Sequence, residues 1–151
     1  MKKTFLLTTF LGLVLLMTQS SFSPTDTGDI VKDVLHYTNK LRKSKRLGEL
    51  KINVELNAIA QKHSENMAKG RVGFGHDGFD KRMKQARKAI SGVNTFAENV
   101  AYGARTGKDA VSMWENSAGH RKNILGNYKY VGIGAAKDRR GIIYYTEVFA
   151  N

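Results

Sequence analysis

The chain contains no cysteine and a single proline, Pro24. The first absence excludes disulfides, cysteine nucleophiles, cysteine-ligated zinc and iron–sulfur clusters. A small domain without such staples must be held by its core, and 151 residues are enough for one. The second absence excludes a proline-rich linker. Acidic residues are scarce, 13 against 25 lysines and arginines, for a formal net charge of +12. Signature catalytic patterns are missing too: H-E-x-x-H, G-x-S-x-G and phosphate-cradling glycine loops do not occur. Gly132-Ile133-Gly134 belongs to a strand pattern.

A long apolar run is present only at the N-terminus. Lys2 and Lys3 precede Phe5 to Met17, and Ser20, Ser21 and Ser23 follow. Cationic, apolar and small-polar segments in that order predict a secretory signal peptide over 1–21. The run falls short of the roughly 20 residues that span a bilayer, so no transmembrane anchor is expected in the mature chain. Residues 22–28 read as a short linker and 29–151 as the folded domain. Losing Lys2 and Lys3 would lower the charge from +12 to +10. Outside the membrane that charge would meet anionic envelope polysaccharide or lipid headgroups, and nucleic acid is not expected. Two clusters would carry it: Lys40, Arg42, Lys43, Lys45 and Arg46, then Lys81, Arg82, Lys84, Arg87 and Lys88.

Periodicity supplies the elements. Ile30, Val31, Val34, Leu35, Thr38 and Leu41 recur at helical spacing, and Gly48 is a stop. Asn53 is an N-cap for a second helix whose buried stripe is Leu56, Ile59, Ala60, His63 and Met67. A glycine-rich loop, 70–78, leads to a short basic helix over about 79–90. Residues 93–102 read as extended. Thr106 and Asp109 predict a capped helix with Ala110, Val111 and Trp114 inside. Residues 117–127 read as turn-rich. The end is a hairpin, 130–136 with 142–150, around Asp138-Arg139-Arg140-Gly141. The last strand is apolar on both alternation sets, so both faces are covered. Helices on either side of a central sheet make an α+β, three-layer sandwich.

Four histidines are available. His36 and His63 lie in helical periodicity and read as surface or structural residues. His76 and His120 lie in glycine-bearing irregular segments that can present a side chain to a cleft. Glu98 sits among apolar neighbours and needs a partner or a raised pKa. Glu147 interrupts the apolar last strand and poses the same question.

These residues also form an ordered set of motifs. Asn39-Lys40-Leu41-Arg42, the spacing Leu50, Leu56, Ala60, His63 and Met67, and Phe74-Gly75-His76 come first. Ala97-Glu98-Asn99-Val100-Ala101, the block Trp114 to Leu125 with Gly119-His120-Arg121-Lys122-Asn123, and Tyr144 to Phe149 follow. Together they resemble the bacterial SCP-like branch of the CAP superfamily, the fold of cysteine-rich secretory proteins, antigen-five allergens and plant pathogenesis-related proteins. The resemblance implies an α-β-α sandwich with a mainly antiparallel sheet. It makes Asn39, Arg42, Asn99, Trp114, Arg121 and Asn123 structural signature positions. It also implies a cleft lined by His76, Glu98, Ser117, His120 and Tyr144. In some members two histidines and two acids there bind a divalent metal. Here Ser117 stands for the second acid and Tyr144 for the second histidine, Glu147 for a common glutamine, Gly75 for a serine and Ala97 for a glycine. A zinc ion on His76 and His120, with Glu98 as ligand or as orienting partner, is the cofactor expectation. The leading functional expectation is an exported, periplasmic or extracellular, non-enzymatic binding module. The alternatives are a hydrolase using His76, Glu98 and His120, metal-dependent or not, and a purely structural surface protein.

Overall fold

A computed structural model describes residues 27–151; the signal segment and most of the linker read from the sequence lie outside them. Helix α1 covers Thr27–Ser44, strand β1 Lys51–Ile52, α2 Val54–Ala68 and α3 Phe79–Ala89. Strand β2 follows at Phe96–Tyr102, α4 at Gly107–Glu115, α5 at Ala118–Ile124, and β3 and β4 at Tyr130–Lys137 and Ile143–Ala150. The sheet order is β1-β3-β4-β2, antiparallel except for the short β1–β3 pair. Among the described residues no helix is long and apolar enough to cross a membrane.

The two expected caps form. Asn53 Oδ1 accepts from the amides of Glu55 and Leu56 at 3.0 and 3.1 Å, and Thr106 Oγ1 from that of Asp109 at 3.1 Å. Each satisfies helix-terminal N–H groups that have no partner within the helix.

Alternation along β4 divides the core into two layers. Tyr145 and Phe149 face a cluster with Ile30 and Val34 of α1, Val111 and Trp114 of α4, and Ile124 of α5. Val148 and Ala150 face Leu56 and Ala60 of α2 and Ala86 of α3. Helices therefore cover both faces, as the two-sided apolarity of β4 requires.

Helix α2 lies directly on β3. Ser64 Oγ donates to the Gly134 carbonyl at 3.0 Å and is hydrogen-bonded to the Thr146 hydroxyl at 2.8 Å. Strand β1 is too short to cover all of β3, and α2 completes that edge. Asn57 Oδ1 accepts from Ile133 N at 2.8 Å, and Gln61 Oε1, one turn later, from Ala135 N at 3.0 Å. This backbone would otherwise be an unpaired edge. The approach is close enough that a Cβ at Gly132 would collide with the Leu56 backbone, and one at Gly134 with the backbone of Ala60 and Gln61. Gly134→Ala is therefore expected to destabilise by about 1–3 kcal/mol through overpacking. Urea unfolding measures it, and a loss below about 0.5 kcal/mol would show that α2 yields without cost.

Two elements differ from the sequence reading. The turn-rich segment contains the helix α5, whose seven residues are too few for a periodic pattern. The two-residue strand β1 likewise leaves no alternation to detect.

Candidate functional site

Several motif residues serve as clamps between layers. Asn39 exchanges two hydrogen bonds with the Leu50 backbone, donating Nδ2 to the carbonyl at 3.1 Å and accepting the amide at 2.8 Å. Arg42 is buried and donates Nε to Gly48 O at 2.8 Å and Nη1 to Ile124 O and Gly126 O at 2.7 and 2.8 Å. It thus closes the turns after α1 and α5 and does not belong to the solvated basic face, a correction to the first charge cluster. Burial holds its pKa below the usual value, with the nearby Glu147 acting in the other direction. Trp114 Nε1 donates to Val100 O at 3.0 Å, and Asn123 Nδ2 to Glu98 O at 3.2 Å and Asn99 Oδ1 at 2.9 Å. Strand β2 is the outer strand of the sheet, so these donors satisfy carbonyls on its open edge. Asn99 Nδ2 in turn donates to His120 O at 3.1 Å, holding the start of α5 against β2. Arg121 is exposed and makes no side-chain bond among the described residues.

Glu98 is the centre of the candidate site. Its side chain is 0% exposed. Arg82 donates Nε to Oε2 at 2.6 Å and Nη2 to Oε1 at 2.7 Å, a bidentate pair. Arg82 also donates Nη1 to Asp77 O at 2.7 Å and Nη2 to His76 O at 3.3 Å, tying the loop after α2 to α3. Arg82 is therefore a buried partner and not a member of the exposed 81–88 cluster, a second correction. Its signal in the sequence was weak: it sits on the one face of α3, with Ala86, that turns inward.

His76 Nδ1 donates to Glu98 Oε1 at 2.9 Å while the ring remains 49% exposed. Nε2, the other ring nitrogen, has no partner among the described residues. His63, on α2, is buried; its Nε2 donates to Gly75 O at 2.9 Å and lies 4.0 Å from Glu98 Oε1. Burial lowers the His63 pKa, with the Gly75 carbonyl opposing and Arg82 contributing further. His63 thus acts as a satisfied structural histidine that supports the loop presenting His76. His120 is half-buried on α5. Its pKa is held down first by burial and then by the charge of His76. Ser117 precedes α5 without a side-chain capping bond. Tyr144 stands opposite Tyr102 on the same face of the sheet as Glu98.

The donor set does not fit a three-ligand metal site. Both oxygens of Glu98 are occupied, and a guanidinium lies against them. Among the described residues no group of three or more His, Cys, Asp or Glu side chains could hold a metal ion. Glu98 is instead placed to orient His76 and fix its tautomer, since a carboxylate can only accept from Nδ1–H.

Comparison with known proteins agrees with this architecture. Residues 35–149 match the CAP family, described as the cysteine-rich secretory protein family. The protein YkwD of Bacillus subtilis is 31% identical over 115 residues, covering 74% of this chain and 44% of YkwD. The structure of an extracellular protein containing an SCP domain from Bacillus anthracis superposes with a TM-score of 0.71 at 25% identity, covering 83% of this chain and 41% of that one. An outer surface protein of Borrelia burgdorferi gives 0.72 at 22% identity, covering 83% and 95%, and shows the fold alone. The chain spans less than half the length of the curated relatives it matches. It belongs to the CAP family, as a bacterial-type CAP/SCP domain.

Proposed function

We propose that this chain is an exported binding module of the cell envelope or extracellular space, and that His76 and His120 are the groups its cleft offers to a small polar ligand. The observation that carries the reading is the bidentate Arg82–Glu98 pair. An acid with 0% side-chain exposure, its charge neutralised by a guanidinium at 2.6 and 2.7 Å, is out of contact with water in the cleft. A hydrolase would need such a base, or a hydroxyl hydrogen-bonded to a histidine. Among the described residues no Ser, Thr or Tyr hydroxyl is bonded to any of the imidazoles. Export rests on the N-terminal segment order and accords with the extracellular description of the Bacillus anthracis relative.

The reading predicts no turnover of peptide, ester or glycan substrates by wild type, and none by His120→Ala. A wild-type activity that disappears in His120→Ala would make the chain a hydrolase and sink the binding proposal. Zinc is tested in the same preparation by calorimetric titration. His76 Nε2 and His120 would supply two protein ligands, fewer than the three of an open zinc site. Any zinc affinity should therefore be modest, weaken in acid as proton competes for the ring nitrogens, and vanish in His76→Ala.

A further inference from the structure

A second surface adjoins the histidine cleft and shares Tyr144 with its expected lining. A groove of about 970 Å³ runs between the end of α2, with the residues after it, and the β3–β4 turn. Its charged lining is Lys69, Arg71, Lys137, Arg139 and Arg140 against one acid, Asp138. Asp138 is committed locally: Oδ1 accepts from Arg140 N and Ile142 N at 2.9 Å each, and Oδ2 lies 3.5 Å from Arg140 Nε. Lys69 is paired with Glu65 at 3.4 Å. Arg71, Lys137 and Arg139 are exposed and have no ion-pair partner among the described residues. Like charges held this close repel one another, and an anion would relieve that repulsion.

Tyr144 closes the groove and connects it to an aromatic surface. Tyr144 and Tyr102 are register partners on β4 and β2, with rings stacked at 5.7 Å and 20°. Phe74 packs edge-on against Tyr102 at 4.6 Å and lies 6.5 Å from Tyr144. Phe74 and Tyr102 are each 50% exposed. Neither core layer includes these three rings, so core packing does not account for them. A contiguous exposed aromatic patch marks a contact surface.

We infer that this groove and its aromatic wall bind an anionic glycan: sugar rings lie on Tyr144, Tyr102 and Phe74 while their carboxylate or phosphodiester groups meet Arg71, Lys137 and Arg139. Sugar C–H bonds present weakly positive faces that suit the negative face of an aromatic ring. Guanidinium groups take carboxylate or phosphate oxygens two at a time. A concave, cation-lined channel suits a polymer chain, whereas binding to a bilayer favours a projecting amphipathic face. The choice of glycan over nucleic acid rests on the exported reading above; the cationic lining of the groove includes none of His76, Glu98 or His120.

The test measures affinity for a polyuronate oligomer and a neutral glucan of the same length. It also uses a single-stranded oligonucleotide and phosphatidylglycerol-containing vesicles. The polyuronate should bind best, and Arg71→Glu/Arg139→Glu should weaken it by about tenfold or more. Phe74→Ala and, separately, Tyr102→Leu should each weaken it by roughly three- to tenfold with folding intact by thermal melt. Lys81→Glu/Lys84→Glu, on another face, should change it by less than about twofold. Equal loss in Lys81→Glu/Lys84→Glu would make the attraction diffuse and overturn the groove. No loss in either aromatic variant would overturn sugar stacking. Tighter binding of the oligonucleotide, or vesicle binding with the same Phe74 dependence, would replace the glycan with that partner.

Discussion

Replacing Arg82 with methionine is expected to lower unfolding free energy by about 3–5 kcal/mol, because it leaves the Glu98 carboxylate buried without its countercharge. The side chain of Glu98 is 0% exposed, so water cannot take the place of the guanidinium. Glu98→Gln should cost less. In that variant Arg82 keeps its bonds to the Asp77 and His76 carbonyls, whereas in Arg82→Met the carboxylate keeps only His76. The double variant Arg82→Met/Glu98→Gln should be more stable than Arg82→Met alone, the non-additivity expected of a direct pair. Equilibrium urea unfolding of the four proteins gives the cycle. Arg82→Met within about 1 kcal/mol of wild type, or additive single changes, would refute a buried pair at the centre of the site.

The second large effect is a pH dependence. Glu147 is fully buried on the α1 face of β4, where Thr38 Oγ1 donates to Oε1 at 2.8 Å and Oε2 has no hydrogen-bond partner among the described residues. Burial pushes its pKa up to about 8, against partial opposition from the Thr38 hydrogen bond and the Arg42 charge. In the unfolded chain the carboxyl titrates near 4.5. Between those values the native state holds the proton and the unfolded state has lost it, so stability falls as pH rises, and it levels off above about 8. At about 1.4 kcal/mol per pH unit the total is on the order of 4–5 kcal/mol. Glu147→Gln removes the ionisation. The variant should be close to wild type at pH 4 and progressively more stable than wild type up to about pH 8. His63 and His120, with pKa values held down by burial, add a loss of stability on the acid side that both proteins share. The difference between the two curves therefore isolates Glu147, and parallel curves across this window would rule it out as the source.

Much of the fold was legible along the chain. The stripe of Ile30, Val34 and Leu41 has the helical repeat, and Asn53 and Thr106 have the side chains that cap a helix start. The last strand, apolar on both sets, required two covering layers and has them. Local signals of this kind arise from spacing and from bonds within a few residues. Elements shorter than one period of their own pattern, β1 and α5, left no such signal. The basic clusters show a different limit. Arg42 and Arg82 sit among lysines and arginines that face water, and composition does not distinguish them from their neighbours. Only the carbonyls around Arg42 and the carboxylate beside Arg82 do.

The site divides in the same way. His76, Glu98 and His120 stood out in the sequence because irregular or apolar surroundings are unusual for groups that ionise. The sequence by itself determined the family, the layer architecture and these candidate groups, since each is encoded in residue type and local spacing. The tertiary structure decided which groups meet: Arg82 closing on Glu98 across 16 positions, Thr38 reaching Glu147 across 109, and Tyr102 stacking on Tyr144 through strand register. Those pairings change Glu98 from an open acid into an orienting partner for His76. They depend on how helices and strands distant in sequence pack, and hydrophobic burial, which is not directional, does not encode that in any single stretch of chain.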